Sequence, residues 1–173
     1  MTHASLSPDA ARLVERLNLA PHPEGGFFRE TWRSPLVIDG LPHGAPRTAQ
    51  TAIYFLLPKG TFSALHRVTS EEIWHFYDGD PVDLHLIDGE ARHRVDTLGV
   101  DFEAGYFPQR VVPAGMWQAA VPREDGTRGF SLCGCTVAPG FDFADFEMPS
   151  RDEILTRFSG APTIAHVLTR LTR

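Results

Sequence analysis

Gly60-Thr-Phe-Ser-Ala-Leu-His66-Arg-Val68-Thr-Ser-Glu-Glu72-Ile-Trp74-His-Phe-Tyr-Asp-Gly79 is the stretch whose reading decides the fold. It holds two runs that alternate like half-buried strands on either side of a short polar turn. With Thr69, Ser70 and Glu71 as the turn, residues 62–68 and 72–77 are expected to pair as an antiparallel hairpin, Val68 opposite Glu72 and His66 opposite Trp74. Side chains alternate with a period of two, so Ala64, His66 and Val68 share a face with Glu72, Trp74 and Phe76. His66 and Glu72 then lie diagonally across that face, within reach of a common ligand. Leu65, Arg67, Ile73, His75 and Tyr77 take the opposite face, which turns His75 away from Glu72.

Working outward, Gly60, His66, Glu72 and Gly79 match the first motif of cupin barrels, G-x5-H-x-H-x3/4-E-x6-G, with Val68 where the second His belongs. The second motif, G-x5-P-x-G-x2-H-x3-N, is echoed by Pro113, Gly115 and Gln118, with Phe107, Gln118 and Pro122 replacing its Gly, His and Asn. Residues 21–34 and 134–147 resemble one uncharacterised branch, the cupins of domain of unknown function 985. Together these stretches cover most of the chain. The resemblance implies an all-β jelly-roll barrel (a double-stranded β-helix) with short flanking helices, in which the usual three-His, one-Glu metal site is half dismantled.

The chain has 173 residues, which suits one domain with a sizeable core. A single domain over 1–173 is expected, with an N-terminal helix at about 8–18, a core at about 21–148 and a helical tail at about 150–173. No apolar run approaches the roughly 20 residues of a membrane span and no signal-peptide pattern opens the chain, so a cytoplasmic protein without membrane association is expected. Sixteen Lys and Arg against 22 Asp and Glu give a formal charge of −6, which argues against binding to a phosphate backbone. Cys133 and Cys135 form neither a C-x-x-C pair nor a zinc set and read as buried apolar thiols.

In chain order, Ser7-Pro8-Asp9 starts a helix whose Leu13, Val14 and Leu17 form an apolar stripe against the barrel. Residues 21–26 make a turn-rich entry to a strand over 27–33. There Phe28, Glu30 and Trp32 share one face and Phe27, Arg29, Thr31 and Arg33 the other, and parity alone leaves open whether Arg29 or Glu30 lines a pocket. Residues 36–47, rich in Pro and Gly and carrying His43, form either a lid or an ordinary connection. The run 50–57 is a buried strand in which Tyr54 is a core aromatic or a pocket wall. Asp88-Gly89 signals a hairpin, with His85 and His93 facing solvent, and strands over 102–112 and 116–121 flank the Pro113-Ala114-Gly115 turn. Phe141, Phe143 and Phe146 plug a barrel end, Ser150 and Glu153 form a capping box, and residues 164–171 form a last short helix.

The expected function is binding of a small molecule inside the barrel, with His66 and Glu72 as catalytic residues and Glu30, Tyr54, Trp74, Phe76 and Gln118 as ligand-binding residues. The leading chemistry is metal-independent acid–base isomerisation or epimerisation of a carbohydrate or other small polar metabolite, with His66 as base. Ala64-Leu65-His66 is similar to the segment that carries the base of metal-free cupin sugar-nucleotide epimerases. Their acid is a tyrosine; Tyr54 and Tyr77 are the nearby choices here, and parity disfavours Tyr77. Two alternatives stand beside this: a non-catalytic binding or sensing barrel, and a metal-dependent enzyme. No cofactor is favoured, since Val and Gln in place of His lose ligand strength; a divalent metal, if used, would be held by His66, Glu72 and Gln118. A homodimer through the N-terminal strands is also expected.

Overall fold

Alternation along the chain resolves into two antiparallel sheets in the computed structural model, which describes residues 6–173. The elements are α1 (Pro8–Arg16), β1 (Ala20–Pro21), β2 (Phe27–Arg33), β3 (Val37–Ile38), β4 (Arg47–Thr48), β5 (Thr51–Pro58), β6 (Ser63–Val68) and β7 (Glu71–Gly79). They continue with β8 (Val82–Ile87), β9 (His93–Leu98), β10 (Gln109–Val112), β11 (Trp117–Pro122), β12 (Phe130–Ala138), β13 (Phe146–Glu147), α2 (Arg151–Arg157) and α3 (Ala165–Leu171). One sheet runs β1-β2-β5-β12-β7-β10, the other β13-β6-β11-β8-β9, and β3 pairs only with β4. This is the jelly-roll expected.

The central stretch, however, is not a hairpin. β6 pairs with β11, Gln118 opposite His66, while β7 pairs with β12 and β10 in the other sheet. Thr69 and Ser70 are a corner at which the chain crosses from one sheet to the other. The turn at Pro113 does the same between β10 and β11, and the strand expected from residue 102 begins only at Gln109. Alternation had specified which side chains face inward, and that survives: His66, Val68, Glu72 and Trp74 are all buried. It does not specify which strand supplies the hydrogen-bonding partner.

Phe55, Leu57, Trp74, Leu84, Leu86, Val112 and Ala120 fill the space between the sheets. The outer face of β6, β11 and β8 is buried as well: Leu65, Trp117, Ala119 and Ile87 pack under Ile154, Phe158, Leu168 and Leu171 of the helical tail. On the other sheet Leu56, Phe130 and Leu132 receive Ala10, Leu13, Val14 and Leu17 of α1. Each fully buried Leu, Ile or Phe among them contributes about 1.5–3 kcal/mol before chain entropy is counted. Both helix starts follow the sequence: Ser7 accepts a hydrogen bond from the Ala10 amide, and Ser150 and Glu153 form the full capping box. The turn at Gly79 admits only glycine, having φ 98° and Phe130 O where a Cβ would stand.

The loop over residues 36–47 is a connection rather than a lid in this arrangement. None of it lines the cavity described below; Arg47 is pinned by Asp145 through Nε–Oδ2 and Nη2–Oδ1 contacts of 2.6 and 2.8 Å, and His43 Nε2 lies 3.0 Å from Ser70 Oγ. His85 and His93 do not simply face water. They are half-buried with Nδ1 and Nε2 3.0 Å apart, and Arg170 and His166 of α3 both bear on them electrostatically.

Candidate functional site

A cavity of about 260 Å³ opens at the end of the barrel where β6 turns into β7. His66 and Val68 reach it from one sheet, Glu72 and Cys135 from the other. Its walls are apolar (Phe28, Ile53, Val137) and its rim holds Phe141, Phe143 and Phe146 with ring centroids 5.0–5.9 Å apart. The aromatic cluster lines an opening rather than sealing it.

Two floor residues come from a segment that the sequence marked only as a turn. His22 and Glu24 precede β2, and the segment docks on β6 through the Ala64 amide, which donates to Glu24 O at 2.7 Å. Gly25 permits this close approach: its φ is 120°, and Phe62 O occupies the place of a Cβ. Glu24, 6% exposed, brings Oε2 to 3.2 Å from His66 Nδ1. His66 Nδ1 also lies 2.8 Å from Ala64 O. A carbonyl oxygen only accepts, so the hydrogen sits on Nδ1 and Nε2 keeps its lone pair; among the described residues no protein group donates to it. At His22 the tautomer is reversed, because Nδ1 accepts from the Glu24 amide at 3.3 Å.

Burial dominates the protonation states, outweighing the Ser63 hydroxyl and the Arg173 guanidinium that act on Glu24 in the opposite sense. It pushes the Glu24 carboxyl up to about 8 and the Glu72 carboxyl upward, and it brings His22 down to about 4, helped by the neighbouring His66. Burial also lowers His66, more than Glu72 nearby raises it. Glu24 and His66 therefore meet in a close contact of 3.2 Å in which burial disfavours the charged form of both. Glu72 Oε2 accepts from Gln118 Nε2 at 2.5 Å, and Gln118 Oε1 accepts from Trp74 Nε1 at 2.9 Å.

Of the residues singled out in the sequence, the cavity brings together His66, Glu72 and Glu30. Gln118 and Trp74 lie behind Glu72 and support it. Phe76 packs in the core and does not line the cavity. Tyr54 is on the outer face of its sheet with the residues under α1, its ring 6.0 Å from that of Tyr77 and beneath the Arg29 guanidinium. Among the described residues no tyrosine lines the cavity. The strand parity of β2 also needs correction. A bulge between Glu30 and Trp32 sets Trp32 opposite Ala52, outward, and Arg33 opposite Thr51, so Arg33 joins Phe28 and Glu30 at the cavity while Trp32 is 55% exposed. His22, Glu24 and Arg33 carried no periodic signal that could have placed them; the bulge and the docked turn are tertiary features.

The residues do not fit the metal set of the first and second cupin motifs. Gln118, wholly buried, spends its oxygen on Trp74 and its amide on Glu72, so it offers no donor to a cation. Among the described residues no group of three or more His, Cys, Asp and Glu is arranged to hold a metal ion.

Comparison with known proteins bears on the family and the fold. A family model described as the cupin superfamily (DUF985) matches residues 11–149. An uncharacterised protein of Saccharomyces cerevisiae is 29% identical over 168 residues, covering 90% of this chain and 83% of its own. A hypothetical protein from Leishmania major superposes with a TM-score of 0.84 at 35% identity, over 94% of this chain and 98% of that one. A protein from Shewanella oneidensis gives 0.84 at 36%, over 95% and 97%. Oxalate decarboxylase of Bacillus subtilis, at 16% identity and a TM-score of 0.52 over 80% of this chain and 34% of its own, shares the fold alone. No helix among the described residues is long and apolar enough to cross a membrane. By its matched length and by the motifs around His66 and Glu72, the chain belongs to the cupin superfamily, in its DUF985 family.

Proposed function

We propose that this barrel binds a small polar metabolite in the cavity and moves a proton on it without a metal, as an isomerase or epimerase does. The observation that supports the reading best is the unpaired Nε2 of His66, on a side chain 3% exposed, lining a cavity beside the Glu24 and Glu72 carboxyls, both of which burial pushes upward. Neutral imidazole with its hydrogen fixed on Nδ1 is a base aimed by Ala64 O and Glu24. When Nε2 takes a proton from the substrate carbon, the carboxyl of Glu24 or Glu72 protonates the substrate oxygen, leaving an imidazolium beside one carboxylate, so the net charge in the apolar pocket is unchanged. The acid is then a glutamate in place of the tyrosine that the epimerase resemblance implies.

The test is solvent exchange. A panel of aldoses, ketoses and amino sugars in D2O is followed by NMR for deuterium entering next to the carbonyl. Exchange with at least one compound is expected, falling by about 10²–10⁴-fold in His66→Ala. Exchange that survives in that variant, or none across the panel, defeats the proposal.

We also propose a homodimer through the N-terminal strands. Trp32, Leu36 and Val37 support it, being large apolar side chains all more than half exposed along that edge.

A further inference from the structure

The charges around the cavity are lopsided. Four carboxyls line it, those of Glu24, Glu30, Glu72 and Asp142, against a single guanidinium, that of Arg33. Arg33 is already committed: Nε and Nη2 donate to the two Glu30 oxygens at 3.1 and 2.7 Å, and Nη1 donates to Phe141 O at 3.2 Å. No lysine and no second arginine line the cavity among the described residues. Deeper in, the polar groups on the floor are His66 Nε2, an acceptor, the Glu24 and Glu72 carboxyls, and His22, whose hydrogen on Nε2 makes it a neutral donor. Phe28, Phe141 and Phe146 add aromatic surface around them.

A carboxylate or phosphate entering this pocket would lose its water and find no cation in exchange, with two carboxyls facing it. An ammonium meets the opposite conditions. Its three N–H donors match the acceptors on the floor, and its charge is favoured by ring faces and by carboxylates in a medium of low dielectric. We infer that the cavity selects a small ligand carrying an amino group and rejects anionic ones, phosphorylated and nucleotide-linked sugars included. This deepens the binding reading above and rests on it. A cavity of about 260 Å³, open at its aromatic rim, suits a small ligand. Since Glu24 is held protonated when the pocket has no cation in it, an ammonium ligand draws it into ionisation, and the carboxyl proton leaves for solvent.

The probes are benzylamine, benzyl alcohol and benzoate, which share one body and differ in charge, titrated calorimetrically into the full chain at pH 7.5. Benzylamine is expected to bind at least tenfold tighter than benzoate, with the alcohol between them. Wild-type affinity for benzylamine should rise between pH 6 and pH 8 while that for the alcohol stays level, a readout that needs no variant. In Glu24→Gln/Glu72→Gln the preference for the amine should shrink to within about threefold. Benzoate binding as tightly as benzylamine, or an amine preference unchanged by pH or by the double substitution, overturns the inference and leaves the binding site itself standing. Binding by none of the three overturns the inference together with the small-molecule reading beneath it; exchange in the NMR assay despite charge-blind binding overturns the inference alone.

Discussion

Gln118 stands where the second motif would have a histidine, and its exchange changes what the position does. The amide bridges Trp74 Nε1 and Glu72 Oε2, holding a carboxyl still where a metal-binding cupin would hold an ion. Gln118→Leu leaves both partners buried and unpaired at about 1–3 kcal/mol each, so a loss of roughly 2–6 kcal/mol is expected in urea unfolding. Glu24 provides a second test. Its carboxyl titrates near 4.5 in the open chain and at about 8 when folded, so between those values the native protein keeps a proton that the unfolded chain has lost. Stability from this group is complete below about 4.5 and is lost as pH rises toward 8. Glu24→Gln is expected to flatten the decline in melting temperature between pH 6.5 and 8. The sequence made His66 and Glu72 legible because motif spacing and strand parity both bear on them. Glu24 was not legible, since it enters the site through a docked turn.

At the level of elements, local signals translated well and non-local ones did not. The capping box at Ser150 was readable because all its partners lie within four residues, and Ser150→Ala is expected to cost about 1 kcal/mol in chemical denaturation. Ile154, fully buried between α2 and the outer face of the β6-β11-β8 sheet, should cost about 2–5 kcal/mol as Ile154→Ala. The supposed hairpin failed for the complementary reason. Alternation in residues 62–77 is equally compatible with two strands that pair and with two strands that face each other across a core. Only the competing partners β11 and β12, 52–67 positions later in the paired residues, decide between them. In β2 a single extra residue exchanged the faces of Trp32 and Arg33, which parity had no means to anticipate.

For the molecule as a whole, buried neutral groups shape the response to pH. Burial brings His22 and His85 down to about 4, and it lowers His66, His75 and His93 as well. Below about pH 6.5 the unfolded chain takes up protons that the native chain refuses, so stability falls on acidification toward 4. Glu24 erodes it on the other side. A melting-temperature scan from pH 4 to 8 should therefore peak near 6.5; a profile that climbs steadily to pH 8 would contradict these protonation states. Sedimentation velocity is expected to show a dimer that Trp32→Glu dissociates, since the exposed ring lies at the proposed interface. The corner at Thr69 and Ser70 has one more consequence. His66 and Glu72 are only six positions apart, yet each is riveted to a different sheet, so a ligand gripped by both is a cross-brace between two plates joined there by a hinge. Occupancy then stiffens the barrel along its height, and slowed amide hydrogen exchange should appear in β11 and β12 as well as beside the cavity.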